Sequence, residues 1–343
     1  MEQPTGAGSN GAHGRRNRPV HRKMTQWRPS SGPAAAQRRA ALLQRARDYF
    51  AAHDILAVDT PALSRYAASD PTINSLAVQS ALGKKLFLQT SPEFCMKRLL
   101  AAGYPDIYSI CRVFREGEAG KRHAQEFTLA EWYRLGFDLG QMIDDTLGFI
   151  AVCLDKSRLA QQYIQYEYAE AFHEFAGIDV FEVTLEQLRS RCMNDETLQA
   201  DIGTDRNAGL DLIMSAVIAP RFAQDQLTVV RHYPADQAAL ARLNGDDERV
   251  ADRFEVFLGD LELANGYVEL SNPLEQQRRM DRDLDIRQVA GREQSPGDPR
   301  LIAALEHGLP ECAGVAVGVE RLHMVFDQTS DIGDVLTFVP EAP

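Results

Sequence analysis

Two pairs of apolar, aromatic-rich runs, each joined by a polar break, constrain this chain more than any other feature. Ile107 to Arg115 and Glu126 to Tyr133 flank the charged loop Glu116 to His123. Phe254 to Leu258 and Leu261 to Glu269 flank Gly259-Asp260, a two-residue turn with glycine first. Runs of this kind, bounded by turn residues, predict antiparallel hairpins. Helical patterns lie around them. Ala41, Leu42, Ala46 and Phe50 share one face of a helix over Ala35 to Ala52, and a charged helix spans Leu274 to Val289. Hairpins separated by helices predict an α+β fold, an antiparallel sheet flanked by helices, and not a doubly wound parallel sheet.

The remaining segments complete the outline. Short strands are predicted at Ile55 to Val58 and Leu86 to Leu88, and a helix follows Pro92, which suits a first helical turn. Residues 139–225 read as mostly helical, with a polar break near Asn194 to Asn207. A strand returns at Leu227 to His232. Gly291 to Pro299 reads as a mobile linker, before a strand at Val315 to Val317 and a helix at Val319 to Phe326. The expected organisation is a disordered basic tail over 1–33 and one globular domain over 34–343, with 139–225 as a helical insertion.

Charge narrows the function classes. The chain carries 37 Lys and Arg against 49 Asp and Glu. Removing the six basic residues and one acid of the tail leaves 31 against 48, a net charge of −17 for the body. Such a body is poorly suited to gripping nucleic-acid backbones without specificity. No apolar run approaches the ~18 residues of a membrane span. The five cysteines (Cys95, Cys111, Cys153, Cys192, Cys312) are odd in number and form no C-x-x-C pair, which predicts reduced thiols in a cytoplasmic protein.

Three constellations can carry chemistry. In the first hairpin, Arg115 at a strand end can fork onto a phosphate or carboxylate. Phe127 can stack on a planar base, and Glu131 and Tyr133 share a strand face that can hold an ammonium. In the second, a turn at Gly259-Asp260 pairs Phe257 with Glu262 and Glu255 with Ala264. Glu255 and Glu262 then become diagonal neighbours on one face, roughly 7 Å apart. Two carboxylates so placed call for a cation, and hard oxygen donors suit Mg²⁺. Ideal alternation puts Glu269 on the opposite face from Glu262, unless a bulge at Gly266 reverses it. In the third, Gly314 and Gly318 flank an apolar strand that runs into a helix, and Arg321 in its first turn opposes the helix dipole unless an anion binds there. Taken singly, each pattern also fits a solvated hairpin or a packed junction with a surface arginine.

Taken together and in this order, they resemble a class II aminoacyl-tRNA synthetase core. Asp59-Thr60-Pro61 resembles its first motif, Phe114-Arg115 through Glu126-Phe127-Thr128 its second, and Gly318-Val319-Glu320-Arg321 its third. Thr90-Ser91-Pro92-Glu93, Glu131-Trp132-Tyr133 and Glu262 through Glu269 resemble the lysyl branch. The resemblance implies a homodimer built on the first motif, with ATP and Mg²⁺ at the site. It implies that Arg115 contacts the ATP α-phosphate and the amino-acid carboxylate, that Phe127 stacks on adenine, and that Arg321 clamps the γ-phosphate. Glu116, Gly117, Leu263 and Gly318 complete the ATP site, and Glu255 and Glu262 hold Mg²⁺–ATP. Glu93, beside Ser91 and Pro92, receives the amino group near the carboxyl end. Tyr133 and Glu269 receive the distal ammonium, with Asn265 and Ala316 in the same pocket.

About 34 residues precede the first predicted helix, too few for an anticodon-reading OB barrel. That makes tRNA an unexpected partner. The chain resembles instead the stand-alone lysyl-synthetase paralogues that modify elongation factor P with (R)-β-lysine. Ala316 agrees, since the lysyl enzymes usually carry glycine there and the paralogues alanine; one methyl is worth about 1–3 kcal/mol in discrimination. A truncated lysyl-tRNA synthetase and a non-catalytic regulatory paralogue are the alternatives. Two departures bear on the ATP site. The family's Arg-Asn-Glu reads Arg115-Glu116-Gly117-Glu118, leaving Glu116 or Glu118 to substitute through a loop shift. His-Asn-Pro-Glu-Phe-Thr reads His123-Ala124-Gln125-Glu126-Phe127-Thr128, losing an asparagine contact.

Overall fold

The first helix starts on a proline whose missing N–H is not needed there, and buries Leu42, Ala46 and Phe50 along one stripe. The computed structural model describes residues 27–195, 198, 202–203, 205–292 and 297–339. The basic tail up to residue 26, and parts of the breaks expected near 194–207 and 291–299, lie outside the described residues.

In chain order the elements are α1 (Pro33–Ala52), β1 (Leu56–Ala57), β2 (Leu63–Ser64), β3 (Ala77–Gln79), β4 (Lys85–Leu88), α2 (Glu93–Ala101), β5 (Ile107–Phe114) and β6 (Glu126–Leu135). Then come α3 (Leu139–Cys153), β7 (Tyr163–Glu167), α4 (Tyr168–Ala176), α5 (Leu185–Asn194), α6 (Arg206–Ile213), β8 (Leu227–Pro234), β9 (Val250–Leu258) and β10 (Leu261–Val268). The last are α7 (Pro273–Val289), α8 (Pro299–Gly308), β11 (Cys312–Gly318) and α9 (Val319–Asp327). The strands form an eight-stranded sheet, β1-β5-β6-β11-β10-β9-β8-β7, and a small sheet, β2-β4-β3. Both expected hairpins are present and antiparallel. The outermost strands β1 and β7 pair in parallel with β5 and β8.

Alternation sorts the large sheet into two faces. Ala130, Trp132, Phe254, Val256, Ala264, Val315 and Val317 point into a core shared with Phe50, Phe149 and Leu322 from α1, α3 and α9. Phe149 stacks at 5.1 Å on Phe50 and lies 4.7 Å from Trp132. The opposite face is capped at each end. The α4–α6 helices pack on Val230, Tyr233 and Phe257. Helices α2 and α8 pack on Ile107, Tyr133 and Cys312. Between these caps the same face presents Glu131, Ala316, Asn265 and Glu255.

Several expectations need correction. Within 139–225 the chain forms the strand β7, and α3 packs in the central core. Five residues between helices, only partly buried, give β7 little sequence signal. Helix α8, which the sequence pattern did not predict, begins at Pro299, where the expected linker ends. Phe257 pairs with Glu262 as expected, but Glu255 pairs with Asn265 and Val256 with Ala264. The irregularity lies between Glu262 and Ala264, so Leu263 is the extra residue. Gly266 makes room for a ring instead: a Cβ there would lie 2.5 Å from Phe254 Cε1. Among the described residues no helix is long and apolar enough to cross a membrane, and all five cysteines are free thiols.

Candidate active site

The bulge at Leu263 settles which side chains meet. It sets Glu262, Asn265 and Tyr267 on the face of Glu255 and Arg253, and Glu269 follows two residues later. Leu263 itself points into the central core, so of the residues expected at an ATP site it offers only its backbone.

One half of the site is a buried acidic pocket. Ser91 Oγ accepts from the Glu93 amide at 3.3 Å just after Pro92, and Glu93 opens α2. One turn on, Lys97 lies 2.7 Å from Glu93 Oε1 and 2.6 Å from Glu269 Oε2, with its side chain 1% exposed. Tyr133 donates to Glu131 Oε1 at 2.9 Å, while Glu131 Oε2 is buried without a hydrogen-bond partner. Gly314 pairs with Tyr133, and a Cβ there would lie 2.4 Å from Tyr133 Cε1 and 2.6 Å from Glu269 Oε1. The ring and the carboxylate therefore converge over a backbone that must lack a side chain. Ala316 lies between Glu131 on β6 and Asn265 on β10. Asn265 donates to the Tyr267 hydroxyl at 3.1 Å.

The charges here do not balance. With all groups ionised, Glu93, Glu131 and Glu269 oppose one ammonium, Lys97, leaving a net charge of −2. Burial pushes Glu269 up to about 7, against the pull of Lys97. Burial, then the Glu93 charge, raises Glu131 well above the carboxylate range. Desolvation opposes the Lys97 charge, but Glu269 and Glu93 hold it protonated. Such a pocket, with an unpaired carboxylate oxygen, accepts cations.

The other half is rich in arginine. The Arg115 guanidinium sits 5.0 Å over the Phe127 ring and 3.5 Å from Glu118, and its Nε is buried without a hydrogen-bond partner. The Arg115 amide donates to Gln125 O at 2.9 Å, and the Glu116 amide to Asn74 O at 2.8 Å. Gly117 has φ +82°, a conformation that disfavours a side chain. This accounts for the departure from Arg-Asn-Glu: the loop turns at Gly117, and Glu118 reaches Arg115. Arg321 donates to Glu262 O at 2.9 Å and to His123 Nε2 at 2.9 Å, and lies 3.3 Å from Glu262 Oε2. Burial and the Arg321 charge lower His123, keeping it a neutral acceptor. Gly318 caps α9; a Cβ there would meet only the Arg321 side chain, at 3.7 Å.

Glu255 is buried 2.5 Å from Arg253, and burial pushes it up to about 7, the Glu262 charge adding to the rise. Glu255 and Glu262 lie diagonally on one face of the β9–β10 hairpin, each beside an arginine, and as hard oxygen donors they suit a divalent cation.

Sequence reading missed three contributors. Lys97 is i,i+4 to Glu93, and Arg253 is i,i+2 to Glu255; those spacings were the available signals. Glu320 accepts from the Thr128 amide at 2.8 Å and from Arg39 at 2.8 Å, locking α9 against β6 and α1.

The chain is similar to known proteins over most of its length. A profile described as tRNA synthetases class II (D, K and N) matches residues 17–342. The elongation factor P–(R)-β-lysine ligase of Pseudoalteromonas translucida (strain TAC 125) is 42% identical over 323 residues, covering 91% of this chain and 97% of that protein. Those of Photorhabdus laumondii and Mannheimia succiniciproducens are 39% and 38% identical, covering 92% and 91% of this chain and 98% and 97% of their own lengths. The chain belongs to the class II tRNA synthetase family (D, K and N), and within it to the group of the elongation factor P–(R)-β-lysine ligases.

Proposed function

We propose that this chain activates (R)-β-lysine, or lysine, with ATP and transfers it to a lysine ε-amine of elongation factor P. The observation that carries this reading is the buried pocket of Glu93, Lys97, Glu131, Tyr133 and Glu269, in which three carboxyl groups share one ammonium, so that two remain to receive an amino acid with two ammonium groups. The names of its relatives supply the acceptor.

In the first step a substrate carboxylate oxygen attacks the ATP α-phosphorus, the bond to pyrophosphate breaks, and an acyl-adenylate forms. Arg115 offsets charge on the α-phosphate and carboxylate, and Arg321, turning from Glu262 and His123, takes the terminal phosphate. Phe127 packs on adenine; Glu116, Gly117, Gly318 and the Leu263 backbone complete the nucleotide wall. Glu93, with Ser91 and Pro92, holds the proximal amino group; Tyr133 and Glu269 hold the distal one, beside Asn265 and Ala316. In the second step the acceptor amine attacks the acyl carbon, AMP leaves, and the amine loses a proton as the amide forms. Positioning and charge stabilisation suffice, with no covalent enzyme nucleophile.

Glu255 and Glu262 would hold Mg²⁺, which when bound offsets phosphate charge. Asp59, Thr60 and Pro61 line an open groove of about 550 Å³ with Arg98, Arg300 and His307, the face that a second copy would cover in a cytoplasmic homodimer.

The test is ATP–pyrophosphate exchange with (R)-β-lysine or L-α-lysine, followed by mass measurement of elongation factor P incubated with the complete reaction. Exchange stronger with β-lysine and a mass gain on elongation factor P are expected. Exchange with α-lysine alone and acylation of tRNA would favour a truncated synthetase. No exchange at all would favour a regulatory paralogue.

A further inference from the structure

Lys97 is an unusual resident of this pocket. A lysine inside an amphipathic helix normally carries its ammonium to water. Here the side chain runs inward, 1% exposed, to carboxylates from two separate elements: Glu93 on its own helix at 2.7 Å and Glu269 after β10 at 2.6 Å. Burying an ammonium is unfavourable unless it is closely paired. One carboxylate would meet that need; this cluster holds three, since Glu131 is part of it. The other titratable neighbours are Tyr133 from β6, Tyr267 from β10 and Cys312 from β11, and burial raises each of them, so all three stay neutral.

On the assignment made above, Glu93 and Glu269 receive the two amino groups of the substrate, and the inference rests on that reading. We propose that Lys97 is a specificity-determining positioning residue: its ammonium ties Glu93 to Glu269, fixing the separation of the two receiving carboxylates, and leaves two of the cluster's three carboxyl groups unmatched by a cation, which a substrate with two ammonium groups supplies. An amino acid with one ammonium leaves a carboxylate unpaired in a dry site. Removal of Lys97 leaves three mutually repelling carboxylates, which at neutral pH take up protons that the substrate must then displace.

The experiment is ATP–pyrophosphate exchange by the full chain and by Lys97→Met and Lys97→Arg, with (R)-β-lysine and L-α-lysine, between about pH 6.5 and 9. For Lys97→Met the amino-acid KM should rise by about tenfold or more at neutral pH, and the excess should shrink toward about pH 9 as the carboxylates ionise. Its KM for ATP should be unchanged and its kcat within about threefold. Lys97→Arg keeps the charge and should keep the wild-type pH profile. Its longer side chain should shift the KM ratio of the two isomers by about threefold or more. A folded Lys97→Met variant with wild-type KM at every pH overturns the proposal. So does a Lys97→Arg variant with unchanged KM for both isomers, which decides the matter if Lys97→Met does not fold. No exchange by the wild-type chain with either isomer overturns the functional reading together with this inference; wild-type exchange with insensitive variants overturns the inference alone.

Discussion

Replacing Gly314 by alanine adds one methyl where the amino-acid pocket is tightest. The new Cβ would lie 2.4 Å from Tyr133 Cε1, 2.7 Å from Tyr133 Cδ1 and 2.6 Å from Glu269 Oε1. Carbon atoms in contact sit about 3.5–4.0 Å apart, so the ring must recede by a little over 1 Å, and the carboxylate by slightly less. Tyr133 is 2% and Glu269 5% exposed, so neither has open space to enter. Overpacking of this kind costs about 1–3 kcal/mol. If it falls on the bound state, the KM for the amino acid rises by about 5–150-fold. The KM for ATP should hold, because neither Arg115 nor Arg321 is among the atoms nearest that Cβ. Pyrophosphate exchange at saturating ATP reads the first quantity, and a thermal melt checks that the variant is folded. Gly318→Ala is the control: its Cβ meets only Arg321, at 3.7 Å or more, and the amino-acid KM should stay within about twofold. A folded Gly314→Ala variant with wild-type amino-acid KM would refute the placement of the substrate between Tyr133 and Glu269.

Glu269, pushed up to about 7, is partly protonated in the unliganded protein at neutral pH. An ammonium needs its ionised form, so amino-acid KM should fall as pH rises through 7, by at most about tenfold per unit below it; a KM flat between about pH 6 and 8 would contradict this. Glu320→Ala removes the acceptor for the Thr128 amide and for Arg39 at a residue 1% exposed. Leaving those donors unpaired should destabilise the fold by about 3–5 kcal/mol, read by urea unfolding. Ala316→Gly removes the methyl between Glu131 and Asn265 and should move the α- to β-lysine preference by about tenfold or more toward α-lysine, read as a ratio of kcat/KM.

The parts of this molecule that were legible in its sequence are those where local rules decide. The Gly259-Asp260 turn fixes the β9–β10 register from Phe257 opposite Glu262, and Gly259 adopts φ +56° as such a turn requires. Arg115 and Phe127, anticipated in one hairpin, lie on it as a cation–π pair. The bulge at Leu263 was not legible, because neither a glycine nor a proline marks it, and tertiary packing of Leu263 into the central core holds it. Gly266, the suspected site, answers to the Phe254 ring instead. Strand β7 was hidden because its pairing partner lies over sixty residues away, with Tyr163 opposite Leu227. Lys97 and Arg253 were hidden for a different reason. On a helix or a strand such residues read as solvated, and only the convergence of Glu269 and Glu255 on them explains their burial.

The position of β11 also governs how the pocket comes into being. The hairpins β5–β6 and β9–β10 close over short loops, so their pairing is local and fast to form. Strand β11 pairs with both β6 and β10, and its first contact joins Cys312 to Leu135, 177 residues earlier in the chain. Closing so long a loop is entropically costly and is repaid only once the strand is seated. Glu131 and Tyr133 arrive on one side of that insertion, Asn265 and Glu269 on the other, and Ala316 with it. Neither hairpin alone therefore contains a pocket, and the amino acid has nothing to grip until the last strand of the sheet is in place. Substrate binding then stabilises only the completed sheet, drawing the folding equilibrium toward it in proportion to the logarithm of ligand concentration.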